Sequence, residues 1–215
     1  MHLPYRLSII LICSFPFGAS PASFDCQKTQ SKIEKLICAD PDLSKLDERL
    51  NSAYQRVLSA VPNRSIVIQW QREWLKSEVQ VCTELSCLKN AFSLRLALLQ
   101  RVSSQDADTA IWNGAYIRYL NGKIDQDSAS VTLIGLTGED VYIFGDALWH
   151  GANWKIGQIN DGQIDGIGKV NHGRIKFNFD GCNGEMSLIG KTLLIEHESG
   201  CGGLNVTFNG KYRRK

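Results

Sequence analysis

Apolar side chains recur along this chain in two different rhythms. Between residues 40 and 100 the spacing is helical: Leu43, Leu46, Leu50, Tyr54 and Val57 share one face of a first helix. Ile68, Trp74, Leu75 and Val79 mark the inner side of a second that reaches Cys82, and Leu88, Phe92, Leu96 and Leu99 that of a third beginning near Glu84. Asp40-Pro41 supplies a capping carboxylate and a first-turn proline, Pro62-Asn63 breaks the pattern, and the helices on either side of that break are expected to lie antiparallel. Ser31 and Glu34 have the spacing of a capping box ahead of a short helix ending at Cys38.

After Trp112 the period falls to two. Val131, Leu133 and Ile134, then Val141, Ile143 and Phe144, then Ile175, Phe177 and Phe179, then Leu193 and Ile195, then Val206 and Phe208 read as short strands. Asn121-Gly122, Thr137-Gly138, Asp161-Gly162, His172-Gly173 and Gly190-Lys191 read as the turns between them. The first strand contains Trp112-Asn113-Gly114-Ala115-Tyr116 and the last Phe208-Asn209-Gly210-Lys211-Tyr212, an echo that predicts neighbouring strands closing the sheet.

Glycine sharpens the division, since there is none from Ser23 to Ser104 and eighteen from Gly114 to Gly210. The expected class is α+β by domains: a small disulfide-stapled helical bundle over residues 23–104, a polar junction around Ser103 to Asp108, and an antiparallel all-β barrel or sandwich over residues 105–215. Each half has its own core and staples, and the two are expected to be separable.

The first 22 residues form a unit of another kind. Arg6 precedes an apolar run from Leu7 to Ile12 that continues through Cys13, Phe15 and Phe17 and closes with Ser20-Pro21-Ala22. The run is too short for a membrane span, which needs about 20 apolar residues. It has the profile of a signal peptide cut after Ala22, leaving Ser23 as the first residue. Ile12 is too large for the residue preceding a lipidated cysteine, so Cys13 is expected to leave with the leader. The remaining chain has no second spanning stretch, and a periplasmic or secreted location follows.

Export changes the reading of the cysteines. Cys26, Cys38, Cys82, Cys87, Cys182 and Cys201 are an even set in an oxidising compartment, so three disulfides are expected rather than a zinc site. In a helical hairpin centred near Pro62, residues equidistant from the turn face one another. That favours Cys26 with Cys87 and Cys38 with Cys82, the crossed pairing remaining open. Cys182 pairs with Cys201.

Charge differs between the halves. Ser23 to Ser104 holds 12 Lys and Arg against 9 Asp and Glu, whereas Gln105 to Gly210 holds 7 against 13. An acidic β body excludes nucleic acid as a partner and favours a basic protein.

Phe24-Asp25-Cys26, Glu34, Ile37-Cys38, Leu46-Asp47, Leu50, Tyr54, Gln71, Trp74-Leu75, Cys82, Cys87-Leu88, Phe92, Arg95-Leu96 and Leu99 together resemble the bacterial envelope family named after the lysozyme inhibitor LprI. The resemblance covers about Ser23 to Val102, with Glu78 standing where many relatives have arginine. It implies a binding protein, with a basic lysozyme as the partner and inhibition as the activity. A non-inhibitory adaptor for another protein or a cell-wall glycan is the alternative.

Candidate chemistry is sparse. Asp161-Gly162-Gln163-Ile164-Asp165-Gly166 begins like a calcium loop, but His172 stands where the bidentate glutamate belongs, and a hairpin turn is the better reading. His150, His172 and His197 have neither ligand spacing nor a nucleophile motif. Glu196 and Glu198 alternate on a strand, as a glycan-cleaving pair would, but equally as a solvated face would. Tyr54, Trp70, Trp74 and Phe92 are expected to be core. No catalytic residue, metal or cofactor is expected. Mass spectrometry of the envelope protein is predicted to find an unlipidated N-terminus at Ser23; a diacylglyceryl adduct on Cys13 would contradict it.

Overall fold

The computed structural model describes residues 22–61, 63–102 and 106–215. The leader up to Pro21, Pro62 of the expected break and Ser103 to Gln105 of the expected junction lie outside them. The N-terminal part consists of α1 (Lys32–Ala39), α2 (Pro41–Ala60), α3 (Arg64–Trp74) and α4 (Leu85–Val102), followed by a four-residue turn of helix, α5 (Ala107–Ala110). Local chemistry sets the starts: Ser31 and Glu34 form a reciprocal capping box at α1, and Asp40 Oδ1 accepts the Leu43 N–H ahead of Pro41. α3 continues into a π turn at Leu75–Val79, where the Gln80 N–H reaches the Leu75 carbonyl. The extra residue in that turn shifts the helical phase. Val79 is buried while Leu75 is exposed, and the inner face of α3 is Ile66, Val67, Trp70 and Trp74 rather than the half-buried Ile68.

The C-terminal part is a closed eight-strand antiparallel barrel. Its strands are β1 (Gly114–Leu120), β3 (Ala129–Gly135), β4 (Asp140–His150), β5 (Ile159–Asn171), β6 (Arg174–Phe179), β7 (Cys182–Ile189), β8 (Thr192–Ser199) and β9 (Gly210–Arg214), with β2 (Lys123–Ile124) a short flap on β1. Strands adjoin in sequence order and β9 pairs back with β1 from Tyr116↔Arg214 to Tyr119↔Lys211, as the echoed ends predict. The echo is also chemical. Tyr116 and Tyr212 each donate to the carbonyl four residues back, Trp112 and Phe208, and Asn113 and Asn209 each accept a backbone N–H, from Gly135 and Glu198. Trp112, Tyr116, Leu133, Ile143, Ile164, Phe208 and Tyr212 fill the interior, so the barrel is a packed core rather than a ligand cup.

Three further expectations are corrected. Val206 and Phe208, read as a strand, lie in an irregular segment ahead of β9. Asp161-Gly162 is not a turn but lies inside β5, a strand of 13 residues. A Cβ at Gly162 would meet the Cys201 carbonyl oxygen at 2.5 Å, and one at Gly166 the Phe179 ring at the same distance, so these glycines mark close approach. The missing hairpin turn is Asp180-Gly181, both residues at positive φ, between β6 and β7. The helical disulfides are Cys26–Cys38 and Cys82–Cys87, neither nested nor crossed. The chain folds back through a 3-10 turn at Cys26–Lys28 so that Cys26 meets the end of α1, and Cys87 on the first turn of α4 faces Cys82 across a short bend. The staples are therefore local to each corner and do not span the hairpin. The third pair, Cys182–Cys201, is as expected.

The halves share a core. Ile134 and Leu136 belong to the helical cluster, and Tyr142 and Phe144 on the outer face of β4 pack against Trp70, with ring centroids 5.1 and 6.4 Å away. Arg101 of α4 pairs with Asp140 and its carbonyl accepts the Thr137 N–H, while Thr109 Oγ1 donates to Leu136 O. The helical part and the barrel are thus joined by apolar packing. Non-reducing peptide mapping is predicted to recover Cys26–Cys38, Cys82–Cys87 and Cys182–Cys201; a peptide linking Cys26 or Cys38 to Cys82 or Cys87 would contradict this. Trp70→Ala is expected to destabilise the whole protein by about 3–5 kcal/mol, the range for truncating a buried aromatic, as read from denaturant unfolding. A loss below about 1 kcal/mol would show that the two halves are not sealed there.

Candidate functional site

Strand alternation gives β4 and β5 two faces. Val141, Ile143 and Ala147 point into the barrel, which leaves Tyr142, Phe144 and Asp146 outside, next to Gln163 and Asp165 of β5. α3 and α4 cover part of this outer face, and between helices and strands runs a cleft of about 460 Å³. Trp70, Glu73, Trp74, Ser77 and Glu78 line one wall, Leu94, Arg95 and Leu98 the roof, and Thr132, Tyr142, Phe144, Asp146, Gln163 and Asp165 the floor.

Arg95 is the cation of this lining and is 3 % exposed. Its guanidinium lies 3.6 Å from the centre of the Trp70 ring, and its Nε and Nη2 both donate to Gln71 Oε1, at 3.1 and 3.0 Å. Burial pulls Arg95 down to about 9, against the pull of Tyr142, Asp165 and Tyr54, so it is charged at neutral pH. Neutral acceptor and ring thus hold the charge in place of a carboxylate.

The acids are arranged differently. Burial, then the Asp165 carboxylate, push the Tyr142 phenol up, and its hydroxyl donates to Asp165 Oδ1 at 2.5 Å. Asp165 is itself raised, first by burial and further by Glu78, against its bond from Tyr142. Asp146 is raised by burial, then by Glu73 across the cleft and by Asp161. Among the described residues none of Glu73, Glu78, Asp146 and Asp165 forms an ion pair. The cleft is an aromatic-floored space whose rim carboxylates make no direct ion pair among the described residues, with Arg95 as its cation. It is suited to a guanidinium or ammonium group, which would relieve the crowding.

The histidines and the Glu196 and Glu198 pair singled out from sequence lie elsewhere. His150 Nδ1 is 3.2 Å from Asp127, His172 occupies the β5–β6 turn, and His197 sits at positive φ in a bulge of β8. Among the described residues no group of metal-ligating side chains assembles. The bulge breaks the alternation on which the Glu196 and Glu198 pair depended. Glu198 is a loop anchor, accepting from Cys201 N, Thr207 Oγ1 and Phe208 N, whereas Glu196 is exposed. The glycines around Cys201 serve close packing: Gly202 bridges Gly162, and the Gly203 N–H reaches Asp161 O. Trp70, Trp74 and Phe92 are core, as expected, although the two tryptophans also border the cleft. Glu73 and Asp146 are not among the residues the sequence singles out, whereas Asp165, expected in a hairpin turn, lies on β5 in the cleft floor. Their signal was Tyr142-x-Phe144-x-Asp146, an outward series beginning with two rings that only a covered surface would carry.

No helix among the described residues is long and apolar enough to cross a membrane. A curated relative, an uncharacterised protein of Rhizobium meliloti (strain 1021), is 38% identical over 55 residues, covering 26% of this chain and 40% of its own length. The chain thus spans well under half of that relative. No solved structure matches. The family model described as lysozyme inhibitor LprI matches residues 25–125, from the first disulfide corner through α1 to α4 and on to β2. The N-terminal part of this chain, over those residues, is an LprI-like segment.

Proposed function

We propose that this is an exported envelope protein, periplasmic or secreted, that binds a basic lysozyme and inhibits it, and that the acidic cleft receives a cationic side chain of that enzyme. The observation that carries the reading is the LprI match over residues 25–125, which includes the cleft wall from Trp70 to Arg95. Three disulfides among the described residues support an oxidising compartment. The 13 carboxylates against 7 cations between Gln105 and Gly210 would attract a basic protein at long range. A glycan adaptor is the weaker reading, because Trp70 is 2 % exposed and its face is taken by Arg95, so it offers no ring for a sugar to stack on.

Lysis of cell-wall suspensions by a basic lysozyme in low salt should be suppressed at equimolar protein. Glu73→Gln with Asp146→Asn is expected to weaken this at least tenfold. Glu196→Gln, on β8 four strands round the ring from β4, should leave it unchanged. Association should slow steeply towards 1 M salt, where the Debye length falls to about 3 Å. Full lysozyme activity at molar excess of oxidised protein would contradict inhibition, and inhibition untouched by the double variant would remove the cleft from it.

The same carboxylates generate a stability prediction. Asp146 and Asp165 have folded-state values raised above the ordinary 3.8. Each therefore contributes stability that is fully present below about pH 4 and lost as pH rises through the raised value. Asp146→Asn should consequently raise the Tm at pH 7 while weakening lysozyme binding, and have no stabilising effect at pH 3. A lower Tm at pH 7 would mark Asp146 as structural.

A further inference from the structure

Asp47 sits inside α2 between the buried Leu43 and Leu50, and it is 8 % exposed. A carboxylate so placed is costly unless a cation or several donors compensate it. Among the described residues no Lys or Arg pairs with it. Its Oδ2 instead accepts the backbone N–H of Ser23 at 2.7 Å. That donor is the nitrogen which the leader pattern, read from sequence alone, identifies as the first atom of the processed chain. Phe24, the next residue, packs against the helical core and keeps this nitrogen at the carboxylate.

We propose that Asp47 is the receptor for the new N-terminus, and that export processing, by creating a charge at Ser23, completes the helical core. Hydrolysis by an endopeptidase breaks the Ala22–Ser23 amide: water supplies the hydroxyl to the Ala22 carboxyl and a proton to the departing nitrogen. At neutral pH that nitrogen takes a further proton and becomes an α-ammonium. A neutral N–H donor to Asp47 is replaced in place by a cationic one, and the hydrogen bond becomes a charge-assisted ion pair. An unprocessed chain, or one processed at another residue, leaves the buried carboxylate without its cation. The pair also fixes one side of the groove formed by Phe24, Ile33, Ile37, Leu50 and Trp74, so the mature fold is tied to the site of cleavage. This inference rests on the leader reading and is independent of what the cleft binds.

The test uses the oxidised mature chain beginning at Ser23, with a free or an acetylated α-nitrogen, each with and without Asp47→Asn. Acetylation keeps the N–H and removes the charge. The free form is expected to melt about 4 °C above the acetylated one, the scale of a charge-assisted bond in a chain of this size. In the D47N background that difference should vanish. N-terminal sequencing of the exported protein separates the two premises: a start other than Ser23 overturns the proposal through the cut. A start at Ser23 with equal Tm values for free and acetylated forms, or a difference that persists in D47N, overturns the ion pair.

Discussion

An eight-strand barrel of this size satisfies itself when its interior is filled and its outer face is wet. Here the outer face along β3 and β4 carries Ile134, Tyr142 and Phe144, followed by Leu136 just beyond β3, and these must be covered. Trp70 of α3 and the stem of Arg95 on α4 provide that cover, and the cost is a guanidinium buried to 3 % exposure. It is tolerable because the Trp70 face and Gln71 Oε1 accept it where water no longer can. Ring, amide and guanidinium form one unit, and removal of any member leaves either apolar surface or a charge without a partner.

The position of the cleft follows from the same constraint. The helices cover the apolar stretch at Tyr142 and Phe144 but stop short of the polar outward residues Asp146, Gln163 and Asp165, while α3 and the π turn after it bring Glu73 and Glu78 over the gap. Carboxylates from both halves then face one another there, and Asp146 and Asp165 are held above the ordinary carboxylate range first by partial desolvation and then by Glu73 and Glu78 respectively, with Arg95 opposing the shift at Asp165.

Local rules were legible in the sequence. The capping box of Ser31 and Glu34, the Asp40-Pro41 start and the turns at Asn121-Gly122 and His172-Gly173 each depend on a few neighbouring residues, and the structure reproduces them. Barrel closure was legible too, because both ends carry an aromatic, Asn-Gly and Tyr at the same spacing. Failures came where distant partners decide. Gly162 has the look of a turn residue until the Cys201 loop lies across it, and an antiparallel helical hairpin predicts disulfides that span it, whereas each corner folds on itself. The cleft was hidden because its acids lie on α3, β4 and β5 and look, one at a time, like solvated surface. Its one visible clue was two aromatic residues on the side of β4 that faces away from the barrel core.

Packing of Ile134, Leu136, Tyr142 and Phe144 against the helical core predicts that the two halves, expected from sequence to be separable, unfold as one cooperative unit. Thermal unfolding followed simultaneously by far-UV ellipticity, which reports the helices, and by near-UV ellipticity, to which the barrel residues Trp112, Tyr116 and Tyr212 contribute, measures this directly. A single transition with coincident midpoints is predicted. Loss of the helical signal in a separate, earlier step, with the barrel signal intact, would show that Trp70 and Arg95 do not bind the halves together, and that the cleft has no fixed walls.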